Sequence, residues 1–458
     1  MQGKSFLTLA AIFFLTSGLQ AEAPKNIILL QADDLKWNVL GYAGDKLAKT
    51  PNLDALAQKG IVFKNHFVTT SICCVSRATL FTGQYEKRHQ IKDFATPFSP
   101  EALALTYPGV LKKAGYRTGF IGKFGVGDAK YIASLASQFD YYKGLPGQAG
   151  QFFIDPNNPK KAHTTARFGD QALEFLDGCS NDKPFCLSIS FNAPHARDGK
   201  PREFQPDLRD EEQYAQTVFP LPKTTQKEFF DRLPDFVKTS EARRRWKLRY
   251  DGDEMTQKTF RDYYRLVMGI DREVGRIVAK AKEKNLLDNT LLIFTADNGF
   301  FLGDRGLADK WFLYEESIRV PMLLAPLSDQ PFQKKSVEAL TLNIDVAPTI
   351  LHWAGLPRPD SMQGKSLLPL ALGGQEGAWR NDFFYEHHFR PEIIPSSEGV
   401  RNQRFKYIRW TSVNPVVEEM YDLQTDPLEE KNLVGEETAK EMLGQLRQRW
   451  QTLSAEVK

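Results

Sequence analysis

Four stretches of this chain share one construction. Residues 26–32 form an apolar, β-branched run that stops at Asp33 and Asp34, with the continuous hydrophobicity of a parallel strand buried on both faces. Runs at 116–122, 184–191 and 290–296 repeat the pattern, stopping at Lys123, at Asn192-Ala193-Pro194-His195 and at Asp297-Asn298-Gly299. Between them the apolar period lengthens to that of a helix over 107–114, 165–176 and 260–284. Another helix is predicted from Thr50 as N-cap and Pro51 at the first helical position, with Leu53, Leu56 and Ala57 on one face and Gly60 as its stop. Strands alternating with helices predict an α/β fold, a large mixed, mostly parallel sheet flanked by helices. Open α/β sheets bind ligands at the carboxyl ends of their strands, so four runs ending in polar residues predict one shared site.

Two segments depart from this alternation. Residues 200–253 are charged and contain proline, and within them Arg243-Arg244-Arg245-Trp246-Lys247-Leu248-Arg249-Tyr250 reads either as a solvated helix face or as a patch for a polyanionic substrate. After the Gly373-Gly374 pair, period-two patterns at 382–385, 399–410 and 418–423 and a terminal helical pattern at 436–453 predict a smaller α+β subdomain, an antiparallel sheet plus a helix. The expected division is a leader over 1–21, a catalytic domain over 22–370 and this subdomain over 371–458. A chain of 458 residues exceeds the ~250 to 300 at which one core stops growing, which agrees with such a partition.

The leader is read from Lys4, an apolar run at 6–15 and small Ala21, a run well short of the ~20 residues a spanning helix needs. The expectation is a secretory signal peptide, a protein exported to a periplasm or beyond, and no membrane span. A net charge of +3 gives no reason to expect nucleic acid as a partner. Four cysteines in an exported chain then invite a disulfide, and Cys179 and Cys186, flanking a turn-like 180–184, are the expected pair.

The other two cysteines open the run Cys73-Cys74-Val75-Ser76-Arg77-Ala78-Thr79-Leu80-Phe81-Thr82-Gly83, a short helical stretch that ends at glycine. Cys73 is thereby expected near the positive end of a helix dipole with Arg77 one turn on, a setting that suits a nucleophile. Asp33, Asp34, Asp297 and Asn298 add hard oxygen donors from two strand ends, a set suited to calcium or magnesium and not to zinc.

The cysteine run resembles the signature of type I sulfatases of the alkaline phosphatase superfamily, Cys-x-Pro/Ala-Ser-Arg followed by Thr-Gly, whose first cysteine is oxidised after synthesis to formylglycine. Cys73 is the matching residue, Ser76 and Arg77 are in register, and Val75 stands where Pro or Ala is usual. Asp33-Asp34, Pro51-Asn52-Leu53, Gly122-Lys123, Asn192-Ala193-Pro194-His195, Asp297-Asn298-Gly299, Lys310 and Tyr421-Asp422-Leu423 are similar to further landmarks of that family. The resemblance implies hydrolysis of a sulfate ester, on a sulfated saccharide, through a covalent sulfo-enzyme on Cys73 after a formylglycine-generating or equivalent maturation enzyme has acted. It implies calcium, with magnesium the lesser alternative, held by Asp33, Asp34, Asp297, Asn298 and the modified Cys73. Arg77 would hold the formylglycine hydrate, Lys123 and Lys310 the sulfuryl oxygens, and His195, alone or with Lys310, would protonate the leaving alcohol.

One position departs from the pattern. Lys123-Phe124-Gly125 stands where the family commonly has Lys-x-His. Either Gly125 opens room for a bulky sugar while another group or water takes the proton of the last step, which is the expectation, or nothing substitutes and a covalent sulfo-enzyme accumulates. A phosphonate or phosphodiester hydrolase, and a silent carbohydrate-binding relative, remain open beside the sulfatase reading.

Overall fold

The computed structural model describes residues 25–147, 152–154, 162–200, 202–374, 377 and 379–458. The expected leader at 1–21 lies outside the described residues. The main sheet has eight strands in the spatial order Ser336–Val337, Ile61–Phe63, Met322–Pro326, Thr290–Ala296, Asn26–Asp33, Phe185–Pro194, Arg117–Gly122 and Tyr141–Gly144. Asn26–Asp33 is parallel to both neighbours, whereas Met322–Pro326 runs antiparallel to Thr290–Ala296 and to Ile61–Phe63. The sheet is therefore mixed and mostly parallel, as the apolar runs predicted.

Alternation along the central strand feeds two cores. Ile28, Leu30 and Ala32 face a cluster that holds Phe175, Leu176, Ile270 and Val274, from the helices Thr164–Asp177 and Asp253–Glu283. Ile27 and Leu29 face a second cluster with Ala78, Leu80, Phe81, Tyr107 and Ile350. Successive side chains of a strand point to opposite faces, so each core takes every second residue.

This alternation overturns the expected disulfide. Cys179 packs in the first core, its thiol against the Phe175 carbonyl at 3.4 Å, while Cys186 sits opposite Ile27 in the second core. The sheet separates the two thiols, and all four cysteines are free. Thr50 also differs from expectation: its hydroxyl makes no cap bond but accepts from Gly41 N at 2.9 Å and donates to Asp54 Oδ1 at 3.1 Å.

Toward the carboxyl end, strands Asp382–His387, Ser397–Asn402, Phe405–Trp410 and Val417–Asp422 form an antiparallel sheet in sequence order. Tyr407 and Met420 of this sheet pack on Leu443 and Leu446 of the helix Lys440–Glu456. Its first strand meets the main body through Phe383, stacked on Phe67 at 5.3 Å between ring centroids, and through Glu386 N, which donates to Thr69 O. Among the described residues no helix is long and apolar enough to cross a membrane.

Candidate active site

The polar ends of the four strands meet at one point, against the first turn of the helix Cys73–Thr82. Extended Ile72 leads into Cys73, the first helical residue, and Gly83 closes the helix in the left-handed region at φ 63°, donating to Thr79 O. The helix is buried along its whole length, so its register is fixed by packing and by Ser76, whose Oγ accepts from Asn343 Nδ2 at 2.9 Å. Cys73 Sγ lies 3.4 Å from Asp33 Oδ1. One turn on, Arg77 Nε donates to Asp297 Oδ2 at 2.9 Å, and its Nη2 lies 3.4 Å from Asp33 Oδ2.

The remaining predicted residues join the same cluster. Lys123 Nζ donates to Asp33 Oδ2 at 2.6 Å, and Lys310 Nζ to Asp34 Oδ1 at 2.5 Å. Asn298 Nδ2 also donates to Asp34 Oδ1 at 2.6 Å, while Asp297 Oδ1 accepts from Asp34 N at 3.1 Å. His195 Nε2 faces Asp34 Oδ2 at 3.4 Å, with Nδ1 bonded to the Ala196 carbonyl. All nine residues singled out in the sequence thus fall in one connected group. Eight are buried, and only His195, with 18% of its side chain exposed, reaches toward solvent.

Three carboxylates, Asp33, Asp34 and Asp297, are balanced here by Arg77, Lys123 and Lys310. Burial alone would raise Asp33, but Lys123, His195, Arg77 and Lys310 hold it well below the usual carboxylate range. Asp297 is pushed up to about 6 by burial and by the Asp33 charge. The Cys73 thiol goes well above its ordinary value, through burial first and Asp33 second. The expected activation by the helix terminus is therefore outweighed, because a helix end contributes only ~0.3–1 kcal/mol at an exposed site while burying a thiolate beside a carboxylate costs more.

The group fits a hard divalent cation. Ligand atoms of Asp33, Asp34, Cys73 and His195 all lie within 4.8 Å of one another. Asp34 Oδ2 and Asn298 Oδ1 are buried and accept no hydrogen bond. Buried acceptors without donors are rare in folded proteins, and oxygen donors of this kind suit calcium or magnesium.

Comparison with known proteins agrees with this geometry. The family model described as Sulfatase matches residues 25–356, and that described as N-sulphoglucosamine sulphohydrolase, C-terminal, matches 303–456. The chain belongs to the sulfatase family. It is a sulfuric ester hydrolase of the alkaline phosphatase superfamily. The sulfatase is 30% identical to an N-acetylglucosamine-6-O-sulfatase of Bacteroides thetaiotaomicron, over 90% of this chain and 82% of that protein. It is 28% identical to the N-acetylglucosamine-6-sulfatase of Homo sapiens, over 79% of this chain and 67% of that one. The solved structure of BT4656 in complex with its substrate D-glucosamine-2-N,6-O-disulfate superposes with a TM-score of 0.80 at 26% identity, covering 95% of this chain and 98% of that one. The phosphonate monoester hydrolase of Agrobacterium radiobacter shares the fold, with a TM-score of 0.77 at 21% identity over 95% and 96% of the two chains.

Other residues of this sulfatase's site were not singled out in the sequence. Gln31 and Ser190 bond the Arg77 guanidinium from within strands, and their signal was visible as polar residues inside otherwise apolar runs. The basic run 243–250 is in part a solvated face, with Arg244 and Lys247 exposed, but its other arginines are engaged within the protein. Arg245 and Arg249, on the helix Glu241–Arg249, turn inward to the buried carboxylate of Asp309, and Arg243 packs between Phe230 and Trp246. Gly125 also departs from expectation. Its φ of +83° is left-handed, and a Cβ there would lie 2.3 Å from Arg77 Cδ, so the absent side chain makes room for Arg77.

Proposed function

We propose that this sulfatase cleaves a sulfate ester on a sulfated sugar, with residue 73 as nucleophile after conversion of Cys73 to formylglycine. The observation that carries the reading is the convergence of Asp33, Asp34, Cys73 and His195 within 4.8 Å, with Lys123 and Lys310 bonded to the two aspartates. The sugar is supported by the likeness to enzymes named for N-acetylglucosamine 6-sulfate and to a structure holding a sulfated glucosamine.

In this reading Asp33, Asp34, Asp297 and Asn298 would hold a calcium ion, which when bound would supply positive charge to acidify a hydroxyl on residue 73 and to offset the sulfuryl charge. Arg77 is fixed by Asp297, Ser190 and the Lys123 carbonyl, and it holds the hydrated side chain of residue 73 in line with sulfur. Lys123 and Lys310 present ammonium groups to the sulfuryl oxygens. Preorganised donors of this kind typically contribute ~3–4 kcal/mol when aimed at developing charge. His195 keeps its Nδ1 on the Ala196 carbonyl, which leaves Nε2 to carry the proton for the departing alcohol, a task that Lys310 shares. The partial exposure of His195 supports approach of the sugar from its side of the site. Maturation requires a formylglycine-generating or equivalent enzyme, and export follows the leader read at 1–21.

The test is sulfate release from glucosamine 6-sulfate and N-acetylglucosamine 6-sulfate, beside an aryl phosphodiester and a phosphonate monoester. The expected order places a sugar sulfate first, with Cys73→Ala abolishing turnover and Cys74→Ala largely preserving it. Faster turnover of the phosphorus esters, or loss on Cys74→Ala alone, would overturn the reading.

A further inference from the structure

Lys310 stands in a strained turn. Asp309 and Trp311, on either side of it, are both non-glycine residues with positive φ, at 67° and 90°. Such residues are strained and persist only where surrounding structure holds them. Arg249 Nη1 donates to Asp309 Oδ1 at 2.7 Å and Arg245 Nη1 to Asp309 Oδ2 at 3.0 Å. From the other side Tyr385 Oη donates to the Trp311 carbonyl at 2.6 Å.

The same two arginines grip the loop that follows His195. Arg249 Nη2 donates to Asp198 Oδ1 at 2.7 Å and its Nε to Glu203 Oε2, and Arg245 Nη1 lies 2.9 Å from Asp198 Oδ2. Glu203 in turn closes that loop, accepting from Arg197 N through its carbonyl at 2.7 Å and from Gly199 N through Oε1 at 3.0 Å. Arg249 is almost fully buried, with its three kinds of nitrogen on three different carboxylates. A planar fork that divides its donors among fixed acceptors sets their relative positions in a way that a flexible ammonium does not. One helix therefore ties the loop carrying His195 to the turn carrying Lys310, although the two lie more than a hundred residues apart.

We propose that Arg249, with Arg245 in support, is a positioning residue that holds His195 and Lys310 in register to protonate the leaving alcohol. The polar partners of the two arginines lie outside the nine residues of the cluster, and the effect passes through Asp309, Asp198 and Glu203. The inference rests on the roles given above to His195 and Lys310. Protonation matters most where the leaving group is a poor one, so loss of registration should fall unevenly across substrates.

The experiment measures kcat and KM for a series of aryl sulfates of rising phenol pKa and for a sugar sulfate. The enzymes are the native protein, Arg249→Met, Arg249→Lys, Arg245→Gln and Lys310→Ala. Arg249→Met is expected to lose about 10²-fold in kcat on the sugar sulfate, the scale of a small misplacement of catalytic groups, but less than ~10-fold on 4-nitrophenyl sulfate, with KM little changed. Arg249→Lys should recover part of the loss, and Arg245→Gln should show the same tilt more weakly. If Arg249→Met fails to fold, Arg245→Gln carries the test with Arg249 intact. Equal loss on every substrate in the folded arginine variants, beside a steeper leaving-group dependence in Lys310→Ala, would overturn this inference alone. Equal loss in Lys310→Ala as well would overturn the roles beneath it, and the inference with them.

Discussion

Two buried charge clusters in this protein have the same count of charges and different construction. In the active site Asp33, Asp34 and Asp297 face Arg77, Lys123 and Lys310. Where the carboxyl-terminal sheet meets the main body, Glu315, Glu316 and Glu429 face Arg305, Arg401 and Lys406. The second cluster is closed. Arg305 binds Glu316 at 3.1 Å and Glu429 at 2.8 Å, Lys406 binds Glu315 at 2.9 Å and also Glu429, and no buried carboxylate oxygen of the three lacks a partner. The first leaves Asp34 Oδ2 and Asn298 Oδ1 bare, beside a histidine that reaches solvent. Equal charge therefore does not mean equal purpose. A network that satisfies itself fixes two parts of the fold together, whereas one that converges with acceptors unmet is arranged for something that arrives later.

Asp297→Asn is the sharpest way to break this contrast. It removes an oxygen charge from the open cluster and frees Arg77, so turnover is expected to fall by orders of magnitude, as it should when EDTA treats the native enzyme. Calcium should restore the chelated enzyme best and raise the unfolding temperature of the native protein, but not that of the variant. Glu429→Gln is the matching change in the closed cluster. It leaves Arg305 and Lys406 short of a buried partner and should cost about 3–5 kcal/mol of stability, with the calcium response of the folded protein intact. A calcium response lost equally in both variants would erase the distinction.

A third group, buried except for the partly exposed His388, lies between these extremes and gives the smallest effect. His388 Nδ1 lies 3.0 Å from Glu86 Oε1, and its Nε2 lies 3.5 Å from Glu398 Oε1. Burial would lower His388, but its bonds to Glu398 and Glu86 raise it to about 10. Glu386 beside it is raised to about 8, by burial and by Glu86. Both groups hold a proton more tightly when the chain is folded. Their effects on stability thus share a sign: that of His388 is complete below pH 6.5 and lost as pH rises through 10, and Glu386 adds a loss between pH 4.5 and 8. Urea unfolding of the native protein should show stability falling across that alkaline range, and His388→Gln should flatten the fall. An unchanged slope would mean that His388 carries no charge in the folded state.

The open cluster was legible in the sequence because buried parallel strands read as unbroken apolar runs, and the residues that stop them are those at the strand ends. Asp33, Lys123, His195 and Asp297 stand out in that way from the sequence alone. What stayed hidden depends on which face or neighbour a residue meets. Cys179 and Cys186 look like partners along the chain, and only the sheet between them shows that they are not. Arg245 and Arg249 read as surface charge because their acceptor, Asp309, lies sixty or more residues away in sequence. Gly125 suggested open space, whereas the side chain that fills it comes from a different element. Pattern along one strand or helix is local information, and each of these facts concerns two elements at once.

The proposed chemistry requires a residue 73 that is no longer a cysteine when the enzyme works. Tandem mass spectrometry of the peptide spanning Ile72 to Arg77, taken from protein that turns over a sulfate ester, tests it most directly. The expected result is an aldehyde at position 73 and an intact thiol at Cys74. An unmodified thiol at position 73 in fully active protein would contradict it.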